Sequence, residues 1–246
     1  MPHSTVIYTK KDHIGAITLN RPEAGNAVNP KMAEELEDIC LRINQDDDVY
    51  VVTLTGTGDK AFCTGSEPVG TRYNVASALA GIQKPVIASI NGDALGAGLE
   101  LALSADIRLS SDRARFGFPE VAGGLIPSDG GTQRLPRIIG RGKALELILS
   151  AEIIDAAEAL RIGLLSRVVK GEDLAAETEA LAQTIAAKAP IALRFIKEAV
   201  NKGLDLTLEQ GLHLEADLYF LLHTTADRTG GITAFLNKRP PKFKGK

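Results

Sequence analysis

The stretch from Lys84 to Glu100, KPVIASINGDALGAGLE, constrains the fold most. Val86 to Ile90 has the length and apolar character of a buried strand. An Asn-Gly turn follows, and then a glycine-rich approach to a helix over Leu95 to Ala105. That helix is apolar nearly all round and carries one charged residue, Glu100. A carboxylate buried in such a helix is costly unless it is paired or its pKa shifts. A second isolated acid, Glu120, follows in FGFPEVAGGLIP. Two carboxyl groups in apolar surroundings beside glycine turns suggest acid–base chemistry. Taken singly, each has a plainer account. Glu100 is then a structural buried acid, and Glu120, after Pro119, a first-turn acid favoured by the helix dipole.

The remaining composition narrows the function classes. A chain of 246 residues suffices for one large domain, or one domain with an appendage. The net charge of −3 gives no electrostatic case for nucleic acid. Aromatic residues are few and tryptophan is absent, so base-stacking platforms are not expected either. Cys40 and Cys63 are not in CxxC spacing and are expected to be reduced and buried. His3, His13, His213 and His223 are scattered, with no metal-ligand spacing and no support for a Ser-His-Asp triad. The N-terminus lacks the apolar run of a signal peptide. The most apolar stretch, Pro85 to Ala105, includes Asn91, Asp93 and Glu100, so it should not cross a bilayer. A cytoplasmic protein is the expectation.

Strands are expected at Val6 to Thr9, Gly15 to Leu19, Val49 to Leu54, Val86 to Ile90 and Ile107 to Leu109, and an amphipathic helix over Asn29 to Ile43. Helices alternating with such strands predict an α/β architecture with mainly parallel pairing. Beyond Lys188-Ala189-Pro190 only helices are expected: Ile191 to Asn201, Leu206 to Leu222 and Thr225 to Leu236. We therefore divide the chain into an α/β core, residues 1–189, and a helical region, residues 190–246. The basic tail KRPPKFKGK reads as a solvated end that could also touch an anionic ligand.

The turn GTGDKA, Gly56 to Ala61, loosely fits a dinucleotide fingerprint. No acid lies between Glu67 and Asp93, and no long apolar helix follows Gly58, so that fingerprint is rejected. Gly96 and Gly98 have a better account. They sit where a strand hands over to a helix, whose first N–H groups lack internal partners and carry the positive end of the dipole. That is a place to stabilise a developing oxyanion. The turn Phe62-Cys63-Thr64-Gly65-Ser66 can supply a second N–H.

Three segments resemble the core motifs of the crotonase, or enoyl-CoA hydratase/isomerase, superfamily: AFCTGSEP (Ala61 to Pro68), KPVIASINGDALGAGLELALSADIRL (Lys84 to Leu109) and FGFPEVAGGLIPSDGGTQRLPRIIG (Phe116 to Gly140). ITLNRPEAGNAVN near the start and AFLNKRPPKFKGK at the end are similar to that family's CoA-binding turn and C-terminus. The resemblance implies an α/β fold: a spiral of repeated ββα units followed by a helical trimerisation region, in a homotrimer or dimer of trimers. It implies an acyl-CoA thioester substrate whose carbonyl oxygen is held by the N–H groups of Ser66 and Ala97. Coenzyme A enters as part of the substrate, and no separate cofactor or metal is implied.

By position in the motifs, Glu100 and Glu120 match the two catalytic glutamates of the hydratases. Keeping both favours hydration over the isomerase, dehalogenase and decarboxylase branches. Substrate contacts are implied at Ala24, Asn26, Ala27, Ala61, Thr64, Gly65, Gly96 and Pro127, with Phe235 and Lys238 near the CoA adenine or its phosphates. Two departures bear on the substrate. The segment from Glu67 to Lys84 is short for a hydratase, which suggests a wider acyl pocket and an unusual, even cyclic, acyl group. Asp129 lies near the place where dienoyl-CoA isomerases carry a functional carboxylate, although before Gly130-Gly131 it also reads as a turn or helix-cap residue. The alternatives are an enoyl- or dienoyl-CoA isomerase and a non-catalytic scaffold binding acyl-CoA or RNA.

Overall fold

The computed structural model describes residues 4–69 and 71–246, so His3 lies outside the described residues. Strand β1 (Val6–Lys11) pairs antiparallel with β2 (Ile14–Leu19) across a turn in which Asp12 and His13 have positive φ. Helix α1 (Pro30–Gln45) starts where Asn29 accepts a bond from the Met32 amide at 2.8 Å and Pro30 takes the first turn. Its apolar stripe, Met32, Leu36, Ile39, Cys40 and Ile43, is buried.

The chain then repeats one pattern. A strand enters a six-stranded sheet, a three-residue strand enters a four-stranded sheet, and a helix follows. The repeats are β3 (Val51–Gly56), β4 (Ala61–Cys63) and α2 (Val75–Ala80), then β5 (Val86–Ile90), β6 (Asp93–Leu95) and α3 (Ala97–Ser104). A third comprises β7 (Ile107–Ser111) and β8 (Arg115–Gly117), closed by α4 (Gly131–Ile139) and α5 (Arg141–Ser150). Then come β9 (Ile153–Asp155), α6 (Ala156–Arg161), β10 (Arg167–Val169) and α7 (Leu174–Ala186). The sheets run β1-β2-β3-β5-β7-β10 and β4-β6-β8-β9. All pairs are parallel except β1 with β2 and β8 with β9. This is the expected spiral of ββα units.

The larger core includes Leu54, Phe62, Ile90, Leu101, Phe116 and Phe118. A smaller one sets Ile14, Val51, Ile87 and Leu109 against Leu174 and Ala182 of α7. Apolar packing thus covers both faces of β5, which is why Val86 to Ile90 shows no polar alternation.

Several sequence expectations shift. Leu95 is not helical: it pairs with Gly117 in β6, and the helix begins at Ala97. GTGDKA is a turn running directly into β4, so no helix N-terminus waits beyond it to receive a diphosphate. The tail is not a free solvated end. The Asp227 carboxylate accepts the amides of Lys244 (2.7 Å) and Gly245 (2.8 Å), and Phe243 lies over Gly231.

The last three helices are α8 (Pro190–Gly203), α9 (Leu208–Leu222) and α10 (Ala226–Leu236). Lys197 of α8 ties this region to the core, bonding the Asp106 carboxylate at 2.8 Å and the Lys84 carbonyl at 3.0 Å. Leu204, Leu208, Leu212, Tyr219, Phe220, Phe235 and Leu236 are exposed here. No helix among the described residues is long and apolar enough to cross a membrane.

Candidate active site

The site is built on the first turn of α3. The Gly96 amide donates to the Gly117 carbonyl at 3.0 Å, which fastens the turn to β8. The Gly96 carbonyl then accepts the first helical bond, from Glu100, also at 3.0 Å. Ala97 is therefore the first helical residue, and its N–H has no partner within the helix. Two glycines make this approach possible. A Cβ on Gly98 would lie 1.9 Å from the Cys63 carbonyl oxygen, so only glycine lets α3 press against the end of β4. Gly96 has φ +53° and ψ −123°, a conformation that suits glycine alone. At its other end, Arg108 donates to the Ala105 carbonyl at 2.6 Å, a cation placed against the negative end of α3.

Ser66 comes from the turn after β4. It forms a parallel bridge with Val28, in which the Val28 amide donates to Gly65 O (2.9 Å) and the Glu67 amide donates to Val28 O (2.7 Å). In extended backbone, successive amides alternate sides, so the Ser66 N–H points away from Val28.

Glu100 is only 2% exposed. Its Oε1 accepts the amides of Asp129 (2.7 Å) and Gly131 (2.8 Å), which leaves Oε2 for the cavity. Burial raises its pKa above the ordinary carboxylate value; the two amides and Arg134 oppose the rise and the Asp129 charge adds to it. Glu120 sits in the short 3-10 turn Pro119–Gly123. Its Oε2 is buried without any hydrogen-bond partner. Burial raises this pKa as well, its own amide opposes the rise, and the charge of Glu100 adds to it. Each carboxyl feels the cost of ionising in a confined, poorly solvated place, and Glu100 has the better-solvated anion.

Both acids line one cavity of about 240 Å³. Thr64, Gly65, Ser66, Gly96 and Ala97 line it too, so seven of the expected site residues meet around one space. Sequence reasoning missed Leu125, Ile126 and Ser128 in the lining, while Val69 and Thr71 come from the Glu67 to Lys84 segment expected to shape the acyl pocket. The adjacent apolar pair Leu125-Ile126, following the left-handed Gly124, was the available signal, since Ile126 is 73% exposed.

Other expected contacts fall outside that lining. Asn26 is fully buried and its side chain is used internally. It accepts the Arg21 amide at 2.9 Å and donates to the carbonyls of Thr57 (3.1 Å) and Ala61 (2.8 Å). Its side chain is committed to holding the loop. Ala61 is likewise buried beneath it. Ala24 and Ala27 are half-buried in the turn that reaches the cavity edge through Gly25 and Thr64, whose Thr64 N to Gly25 O bond is 3.1 Å. Pro127 is buried behind the wall, near Gly131. Phe235 and Lys238 are exposed at the end of α10. Asp129 caps a helix, but not the one that follows it. Its carboxylate takes the α2 amides of Ala76 (2.6 Å) and Ser77 (3.2 Å) and turns away from the cavity.

The family model for enoyl-CoA hydratase/isomerase matches residues 9–246. A Bacillus subtilis homologue of the enoyl-CoA hydratase/isomerase type is 43% identical over 259 residues, covering 100% of both chains. The crotonyl-CoA hydratase of Syntrophomonas wolfei is 38% identical over 261 residues, again covering 100% of both. The crystal structure of an enoyl-CoA hydratase from Bacillus anthracis superposes with a TM-score of 0.95 at 38% identity, covering 98% of this chain and 100% of that one. Whole-chain similarity in sequence and in fold, together with the cavity geometry, leads to one conclusion: this chain belongs to the enoyl-CoA hydratase/isomerase family.

Proposed function

We infer that this protein is an enoyl-CoA hydratase, adding water across the 2,3-double bond of an enoyl-CoA thioester. The observation that carries this is a pair of glutamates lining one cavity, Glu100 buried and Glu120 half-buried with a buried Oε2, beside the backbone of Ser66 and Ala97. Relatives across the whole chain, a crotonyl-CoA hydratase among them, support it.

The Ser66 and Ala97 N–H groups form the oxyanion hole and polarise the thioester carbonyl, which makes C3 electrophilic. One such donor contributes roughly 3 kcal/mol to catalysis. Glu100 and Glu120 share a water. The water oxygen bonds to C3 while the π electrons move onto the thioester oxygen. Glu100, whose two amide donors favour its anion, accepts the water's proton. Glu120, with an unpartnered oxygen that favours its acid form, delivers a proton to C2. The pair ends with one proton, as it began. Proton transfer of this kind contributes about 10²–10⁴-fold.

Val69, Leu125 and Ile126 supply the apolar acyl wall, and the short connection before α2 leaves it open enough for branched or cyclic acyl groups. Coenzyme A lies along the Ala24 to Ala27 turn, with Phe235 and Lys238 of one subunit or its neighbour near the adenine end. The apolar surface of residues 190–246 is the trimerisation face, and the region before it is the catalytic core. Two unbridged thiols fit a cytoplasmic setting.

Incubation with crotonyl-CoA is the test. Loss of the enoyl absorbance with formation of the 3-hydroxyacyl thioester supports hydration. Interconversion of 2- and 3-enoyl-CoA without uptake of water overturns it in favour of isomerisation. Binding without turnover, unaffected in Glu100→Gln and Glu120→Gln, would point to a scaffold.

A further inference from the structure

Asp129 joins two parts of the site that the sequence keeps apart. Helix α2 has no cap of its own, because the side chain of Asn74 makes no capping bond. The cap comes from more than fifty residues away. Asp129 Oδ2 accepts the Ala76 amide at 2.6 Å, and the Ser77 amide and hydroxyl complete the clamp on the same carboxylate. Asp129 is only 4% exposed, so this is a committed interaction of a buried charge.

The backbone of the same residue faces the other way. Its N–H donates to Glu100 Oε1 at 2.7 Å, and its carbonyl accepts Arg134 Nη1 at 2.7 Å. Just before α2 run Val69 and Thr71, which line the cavity, and just before Asp129 comes Ser128, which also lines it. A single peptide unit is thus held between α2 and the carboxylate of Glu100.

We propose that Asp129 is a positioning residue: its carboxylate, by clamping α2, fixes the backbone N–H that orients Glu100 and holds Val69 and Thr71 of the cavity wall in register with it. This rests on the hydratase reading of the site. Asp129 touches no reacting atom in this scheme. It acts through Glu100, and a displacement of about 1 Å at a reacting group costs on the order of 10²-fold in rate.

The experiment compares kcat and KM for crotonyl-CoA hydration in the full-length protein, in Asp129→Ala, and in Asp129→Asn. Asn keeps an oxygen acceptor for α2. The expected result is a kcat loss of about 10²-fold in Asp129→Ala with KM little changed, and recovery of most of that loss in Asp129→Asn. The same substitution is then made in a Glu100→Gln background. A residue acting through Glu100 has little further effect there, whereas a general loosening of the fold gives an additive loss. Glu35→Ala is the control for stability alone. Glu35 clamps the Thr5 and Val6 amides at 2.8 and 2.9 Å, outside the cavity lining, and its loss should lower the melting temperature without lowering kcat. If Asp129→Ala does not fold, Asp129→Ser, which retains a shorter acceptor, replaces it in both backgrounds. Wild-type kcat in the Asp129 variant, or additive losses in the double variant, would overturn the proposal. A parent protein that fails to hydrate crotonyl-CoA would overturn the functional reading with it, so the two failures are distinguishable.

Discussion

A side chain on Gly96 and the carboxylate of Glu120 exclude one another: a Cβ on Gly96 would stand 2.7 Å from Glu120 Oε1. The glycine that turns the chain into α3 also makes room for the second acid. Gly96→Ala should therefore cost about 1–3 kcal/mol in backbone strain and also push Glu120 out of place. The expected outcome is a lower melting temperature with a kcat loss larger than the stability change explains. A variant destabilised but fully active at low temperature would contradict this.

Removing either acid should act on turnover. Glu100→Gln and Glu120→Gln are each expected to lower kcat by about 10²–10⁴-fold, with a smaller effect on KM. Steady-state kinetics on a short enoyl-CoA checks this. The double variant should lose less than the product of the two single losses, because the acids act on one water.

Both pKa values are raised by burial, which fixes the sign of the pH dependence. A carboxyl with a raised folded-state pKa holds its proton in the native state where the unfolded chain has released it. Between the ordinary value of 4.5 and the raised one, the native state binds more protons, so stability falls as pH rises. Glu100→Gln and Glu120→Gln should flatten that fall and be more stable than the parent at neutral pH. Urea melts across this range measure it. Turnover should also fall at high pH, as Glu120 loses the proton destined for C2.

Asp227 holds the tail through its side chain and through its backbone amide, which donates to the Lys246 carbonyl at 3.0 Å. Asp227 is 5% exposed and carries two amide bonds from residues 244 and 245. Asp227→Ala should destabilise the protein by about 1–3 kcal/mol and loosen the tail. Trypsin cleavage at Lys242 and Lys244 would then become fast in the folded protein. Cleavage as slow as in the parent would show that the backbone bond to Lys246 and Phe243 over Gly231 are sufficient to hold it.

The sequence carried the long elements and drew notice to two acids. Asn29-Pro30 marks the start of α1 through a cap and a fixed φ, and Val86 to Ile90 marks β5 through five buried positions in a row. The isolation of Glu100 and Glu120 in apolar stretches singled out two acids that the fold brings to one cavity. The short strands β4, β6, β8 and β9 left no trace, because three residues hold barely more than one period of alternation. The internal bonds of Asn26 were not legible in the sequence, because its partners Thr57 and Ala61 lie more than thirty residues away. Asp129 is a helix cap, as expected, but for a different helix. Local sequence offers it α4, while the fold brings it the uncapped end of α2.

Cys40 and Cys63 are both buried, and their thiols are pushed up to about 12 and about 11. Neither presents a thiolate to reagents at neutral pH. A single cysteine engineered on the rim, at Val69 for instance, can therefore take a maleimide fluorophore in the otherwise unmodified chain. Ligand entry and the motion of that wall would then be followed without first stripping out native sulfur.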